Sequence, residues 1–130
     1  MKKLILSGFV LLGLVSFTAT AQYIYDASGR QIARFDGERI YDSSGRNVGR
    51  VDGEYVYDSS GRSMGRISGE SFYDSSGRTI GRMDGQYLYD SSGRTLARID
   101  GERLYDSSGR SMGRFDGLRR RQIAIFYFYF

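Results

Sequence analysis

One hexapeptide, Tyr-Asp-(Ala/Ser)-Ser-Gly-Arg, recurs at Tyr25, Tyr41, Tyr57, Tyr73, Tyr89 and Tyr105, and every interval is 16 residues. A fixed period of this kind means one small structural unit copied along the chain, each copy burying its apolar side against its neighbours. The full unit reads Tyr-Asp-Ser-Ser-Gly-Arg-x-Φ-Gly-Arg-Φ-Asp-Gly-Glu-x-Φ, where Φ is apolar, and it is complete from Tyr41 to Val56. A glycine-containing turn therefore interrupts the chain about every eight residues, which is shorter than an average helix. What remains between the turns is strand-sized, as in Glu54–Asp58 and Arg62–Ile67.

The unit carries two turn signals. In Asp42-Ser43-Ser44-Gly45, Asp suits the first position of a type I turn and Gly the fourth, where a left-handed residue closes a bulged hairpin. Asp52-Gly53 predicts a two-residue type I′ hairpin. If Asp58 opposes Arg62 across the first turn, then Val56 opposes Met64 and Glu54 opposes Arg66; the next copy pairs Asp74 with Arg78, Phe72 with Ile80 and Glu70 with Arg82. Across Ser68-Gly69, Ile67 would oppose Glu70 and Gly65 would oppose Phe72, which joins residues from opposite faces of the first pairing. That parity predicts separate hairpins packed around an axis rather than one continuous sheet, and a single additional bulge per copy would restore it. The expected fold is all-β: short hairpins from 16-residue repeats, arranged radially about a pseudo-symmetry axis and closed into a ring that protects its edges. Gln22-Tyr23-Ile24 supplies the last three positions of a copy, so the strand near Tyr23–Asp26 is expected to pair with the one near Arg110–Phe115.

The first residues have a different character. Met1-Lys2-Lys3 is a short basic step, Leu4 to Phe17 is almost continuously apolar, and Ala19-Thr20-Ala21 has the small-x-small pattern of a cleavage site. Residues 1–21 read as a secretory signal; as a membrane anchor the apolar run falls short of the roughly 20 residues a spanning helix needs. The expected organisation is a signal at 1–21, a repeat domain at 22–117 and a C-terminal tail at 118–130. The expected location is the periplasm, the outer-membrane surface or outside the cell.

A leader followed by YDSSGRxxGRxDG units resembles the small secreted bacterial β-flower proteins, over residues 22 to about 117. The resemblance implies short hairpins radiating about a four-fold or five-fold axis, with no catalytic residue to carry over. Six Tyr-Asp copies but only five full intervals leave five-fold and six-fold closure both open. The Tyr-Asp-x-x-Gly-Arg core is also similar to the longer, less regular YD repeats of large secreted toxins and adhesins.

Composition narrows the chemistry. The chain has no His and no Cys, which removes the usual zinc sites, thiol and imidazole catalysis, and disulfides. The remaining carboxylates, Asp42, Asp58, Asp74, Asp90 and Asp106, are copies in one turn position and would share one environment, whereas an acid–base pair needs two. No enzyme, cofactor or metal is expected. The net charge of +4 includes Lys2 and Lys3, the only lysines; between Gln22 and Leu118 there are 14 Arg against 15 acids. These arginines are matched one to one by acids, unlike the uncompensated basic patch of a nucleic-acid binder.

Two sets of residues are candidates for contact with a partner. Tyr41, Tyr57, Tyr73, Tyr89 and Tyr105 offer flat faces and hydroxyls that suit a polysaccharide or amphiphile, or else they are core. The tail combines Arg119, Arg120 and Arg121 with Ile123 to Phe130, an unbroken apolar run that includes Phe126, Phe128 and Phe130. Such a run cannot be left in water. It either packs into the ring, docks on a membrane surface or a partner, including a second copy, or forms a terminal strand of an outer-membrane barrel, whose strands need about nine to eleven residues. The expected function is a non-enzymatic secreted or cell-envelope binding module for a polysaccharide or amphiphile; the alternative is a structural or membrane-associated assembly protein acting through the tail.

Overall fold

The computed structural model describes residues 22–130; the leader reading falls outside the described residues. Twelve strands alternate between four and six residues: β1 Tyr23–Asp26, β2 Gln31–Asp36, β3 Arg39–Asp42, β4 Asn47–Asp52, β5 Tyr55–Asp58, β6 Ser63–Ser68, β7 Ser71–Asp74, β8 Thr79–Asp84, β9 Tyr87–Asp90, β10 Thr95–Asp100, β11 Arg103–Asp106 and β12 Ser111–Asp116. One helix, α1 Arg120–Tyr129, follows. Each strand pairs antiparallel with its sequence neighbours, and β1 pairs with β12 to close the barrel, Ile24 opposite Phe115 and Tyr25 opposite Arg114. The expected closure is therefore present, with two strands per copy and six sectors.

The turn at Asp-Ser-Ser-Gly forms as expected. Gly61 N–H donates to the Asp58 carbonyl at 3.0 Å, Asp58 N–H donates to the Arg62 carbonyl at 2.9 Å, and Gly61 sits at φ +90°. The Asp58 carboxylate adds a second layer, accepting from Ser60 N–H, Ser60 Oγ and Arg62 N–H at 2.8–2.9 Å. The other five copies repeat these bonds within about a tenth of an ångström of each other.

Two expectations about register are corrected. Beyond the turn, Tyr57 pairs with Ser63 but Val56 pairs with Gly65, not Met64, and Tyr55 rather than Glu54 meets Arg66. Met64 is the extra residue of a bulge, and its counterparts in every copy are bulged as well. The second hairpin has Gly69-Glu70 as its two-residue loop, with Ser68 opposite Ser71 and Ile67 opposite Phe72. Gly69 has φ +60° and no non-glycine residue has positive φ; that combination belongs to a type II′ turn, since type I′ would place Glu70 in the left-handed region. The bulge restores the parity, and the sheet is continuous rather than a set of separate hairpins.

The inward positions in each copy are the Φ before Tyr, the Gly or Ala immediately before the stacked Arg, and the Φ after that Arg, represented by Val56, Gly65 and Ile67. Eight strands already make a lumen that side chains can fill. Twelve strands with Gly or Ala at one inward position enclose more space, and α1 occupies it. Ile123, Ala124 and Ile125 are all at most 2 % exposed; consecutive helical residues point about 100° apart, so the helix has barrel wall around most of its circumference. The tail is thus a helix inside the ring, not a strand of it.

Candidate functional site

The outer wall is built from one repeated device. Arg50 on β4 lies opposite Tyr57 on β5, with its guanidinium 4.3 Å from the ring centroid, and Asp52, two residues on, pairs with it at 3.4 Å. Five more copies stack Arg34 on Tyr41, Arg66 on Tyr73, Arg82 on Tyr89, Arg98 on Tyr105 and Arg114 on Tyr25, at 4.1–4.7 Å. The structure therefore places Tyr41, Tyr57, Tyr73, Tyr89 and Tyr105 on the outside, one per sector and half-buried under Arg. It does not bring them together into one site. Exposed pairs of this kind contribute roughly 0.5–1 kcal/mol each. The expected pairing of Glu54 with Arg66 and Glu70 with Arg82 is replaced by these stacks; of the acid–Arg pairs across the first turn, Asp74–Arg78 is an ion pair, at 4.0 Å.

The helix enters the barrel at the Gly-Glu turns. Arg121 donates to the Gly53 carbonyl at 3.3 Å, and Arg119 N–H donates to Gln122 Oε1 at 2.8 Å. Arg119, Arg120 and Arg121 are exposed at that end. Phe126, Phe128 and Phe130 are packed against the core and are each half-buried. The helix reaches the opposite end as five consecutive rings, and three of them lie over glycine. A Cβ built on Gly49, Gly65 or Gly81 would fall 2.5–2.7 Å from a ring carbon of Phe130, Tyr129 or Phe128 respectively. Phe72 stacks on Phe128 with centroids 4.7 Å apart. Tyr129 anchors this side, its hydroxyl donating to the Tyr73 carbonyl at 2.7 Å, and burial pushes its phenol up to about 12.

The rings do not reach all six sectors. The bulge residues Val48, Met64, Ile80 and Leu96 pack against the core beneath them, whereas Ile32 and Met112 remain 38 % and 39 % exposed. Beneath these two, where β12 meets β1, lies a mostly apolar cavity of about 270 Å³ whose walls include Ile24, Leu104, Phe115, Phe126 and Tyr127. It opens to the outside, and Tyr127 is its one ring from the helix that also carries a hydroxyl. Burial and the nearby Asp106 raise the Tyr127 phenol above its ordinary value.

The loops around this end hold the six Tyr-Asp carboxylates below the usual range. In Asp42, Asp58, Asp74, Asp90 and Asp106 the main cause is the serine hydroxyl two residues on, followed by the arginine N–H; in Asp26 the Arg30 N–H comes first. Each carboxylate is committed to its own turn. Among the described residues there is no cluster of acids suited to a metal ion, and no helix is long and apolar enough to cross a membrane.

Fold and site together define a closed antiparallel barrel of repeated hairpins, plugged by its own C-terminal helix. The family described as 5-fold beta-flower protein matches residues 21–130. The chain belongs to this family, and its own barrel has six sectors. Comparison with curated proteins gave no match, and neither did comparison with solved structures.

Proposed function

We propose that this protein is a non-enzymatic binding module for an amphiphile, whose apolar part enters the cavity between β12 and β1. The observation that carries this reading is the cavity itself, an open and mostly apolar space of about 270 Å³ at the closure of the barrel. Apolar cavities of roughly 150 Å³ already take up benzene-sized molecules, and at roughly 30 Å³ for a water-sized group this one matches an alkyl chain of about eight carbons. The mouth residues Ile32 and Met112 are apolar and exposed, a cost in water that an alkyl chain would relieve.

The methionines supply the test, because Met112 lines the cavity while Met64 and Met83 stand at the filled sectors. Titration with 1-octanol, followed by NMR of methyl-labelled methionine, is expected to shift the Met112 signal in a saturable way and leave Met64 and Met83 in place. No saturable shift at Met112, or equal shifts at all three, contradicts the reading. Neutral oligosaccharide binding with Met112 unmoved would assign the function to the outer face instead.

A further inference from the structure

The outer wall is uniform except in one sector. Five of the six stacked arginines, Arg34, Arg50, Arg82, Arg98 and Arg114, have a carboxylate two residues on at 2.9–3.7 Å. In β6 that position is Ser68, and among the described residues Arg66 has no carboxylate within 4.0 Å. Glu54 and Glu70, at the neighbouring turn tips, form no ion pair with it. The Arg66 guanidinium lies 4.7 Å from the Tyr73 ring centroid and keeps the edge that its counterparts give to Asp. Opposite it in register is Tyr55, 46 % exposed, whose ring is 6.5 Å from that of Tyr57 and tilted 35° to it.

Other sectors have one half of this arrangement. Tyr23 and Tyr87 also face an arginine across the strand pair, but Arg34 and Arg98 are matched by Asp36 and Asp100. The sectors of Arg50, Arg82 and Arg114 have Arg39, Ser71 and Arg103 in the tyrosine position. Among the stacked arginines, an unmatched guanidinium opposite an exposed tyrosine thus occurs once, on β5–β6–β7.

We propose that this patch is a binding site for a carboxylated sugar, such as a uronate unit of an acidic polysaccharide, and that it is separate from the apolar cavity. A carboxylate is the planar two-oxygen partner that a guanidinium fork binds in bidentate fashion. A pyranose ring presents an apolar C–H face that covers a tyrosine ring while its hydroxyls stay in water. Arg66 binds the carboxylate, and the exposed Tyr55 ring supports the sugar. The site reads charge and ring together, so a neutral sugar loses the arginine and a simple anion loses the tyrosine.

The repeat supplies variants whose new residues already stand at the equivalent positions of other copies. Calorimetric titration with an oligogalacturonate at low salt is expected to show one site, and a neutral galactose oligomer of the same length to show none. Ser68→Asp introduces the residue found in the other five copies and is expected to weaken binding by about tenfold or more, since it places a like charge beside the ligand. Tyr55→Ser, with the residue that β7 carries at this position, weakens it several-fold. Asp100→Ser frees Arg98 beside Tyr87 and is expected to raise the stoichiometry from one to two. Unchanged affinity in Ser68→Asp, equal binding of the neutral oligomer, no binding of the acidic one, or equal binding of inorganic sulfate would overturn the proposal. The 1-octanol response of Met112 is independent of all four results.

Discussion

The two sides of this barrel are made from the same repeat, yet on one the helix rings lie against glycine and on the other an apolar cavity is open. Along β4, β6 and β8 the inward glycines Gly49, Gly65 and Gly81 give up their side chains, and Phe130, Tyr129 and Phe128 take the space. At β12, β1 and β2 no ring fills the gap beneath Ile32 and Met112, and a cavity remains. The difference comes from counting. A helix that ends in five rings cannot serve six equivalent sectors, so a symmetric wall acquires one asymmetric site from an asymmetric plug. Symmetry gives this protein its frame, and the break in symmetry leaves the cavity between β12 and β1.

The largest test of that contrast removes the plug. A chain ending at Gly117 loses the buried Ile123, Ala124 and Ile125 and all five rings, each buried aliphatic contributing about 1.5–3 kcal/mol. The expected outcome is loss of cooperative thermal unfolding and of near-ultraviolet dichroism; retention of both would mean the sheet stands without its helix. Next in size, Gly65→Ala forces a methyl into the Tyr129 ring and the Tyr73 carbonyl and is expected to cost about 1–3 kcal/mol by denaturant unfolding. Ala97→Gly, at the same repeat position, removes one buried methyl and costs about 1 kcal/mol. A larger cost at Ala97 than at Gly65 would contradict the tight seating of Tyr129 over Gly65. Tyr129→Phe, which loses the bond to the Tyr73 carbonyl, should cost about 0.5–1.5 kcal/mol.

The smallest effect concerns acid. The six turn carboxylates have folded pKa values below the ordinary 3.8, so their contribution to stability is fully present above that value and is lost as pH falls below it through the folded values. Thermal midpoints should be flat above about pH 5 and decline below 3.8, and because all six loops share the chemistry, amide exchange should rise in filled and open sectors alike. A decline confined to one sector would show that the loops are not equivalent.

Much of this architecture is legible in the sequence. The period, the Asp-Ser-Ser-Gly turn and the match of Gln22-Tyr23-Ile24 to the end of a copy are local chemistry repeated six times, and they lead directly to a closed all-β ring. The register is less legible, because Met64 and its counterparts look like ordinary inward residues; only pairing on both sides of β6 reveals the bulge. The Asp-Gly dipeptide points to a type I′ turn, but the following Glu avoids positive φ, and the turn moves one residue along. The helix is hidden most thoroughly. Ile, Phe and Tyr in succession favour strands on propensity, ten residues make a marginal helix in water, and an arginine at the N-cap with two more in the first turn opposes its dipole. It forms because the lumen satisfies its rings, which no local signal encodes.

The site was legible in part. Tyr41, Tyr57, Tyr73, Tyr89 and Tyr105 are recognisable as one repeated set, with surface and core both open, and the stack that covers them depends on cross-strand register. The cavity depends on which sectors the tail leaves empty, and no single residue announces it. Ser68 is the exception: one departure from a strict repeat, visible in the sequence, whose meaning emerges only once Arg66 and Tyr55 are seen opposite each other.

The most direct test of a full side and an open side is a crystal structure under xenon pressure, since dry apolar cavities take up xenon. The account predicts xenon between β12 and β1, against Ile24, Ile32, Met112 and Phe126, and none over Gly49, Gly65 or Gly81. Xenon absent from the closure sector, or spread equally over the glycines, would contradict it.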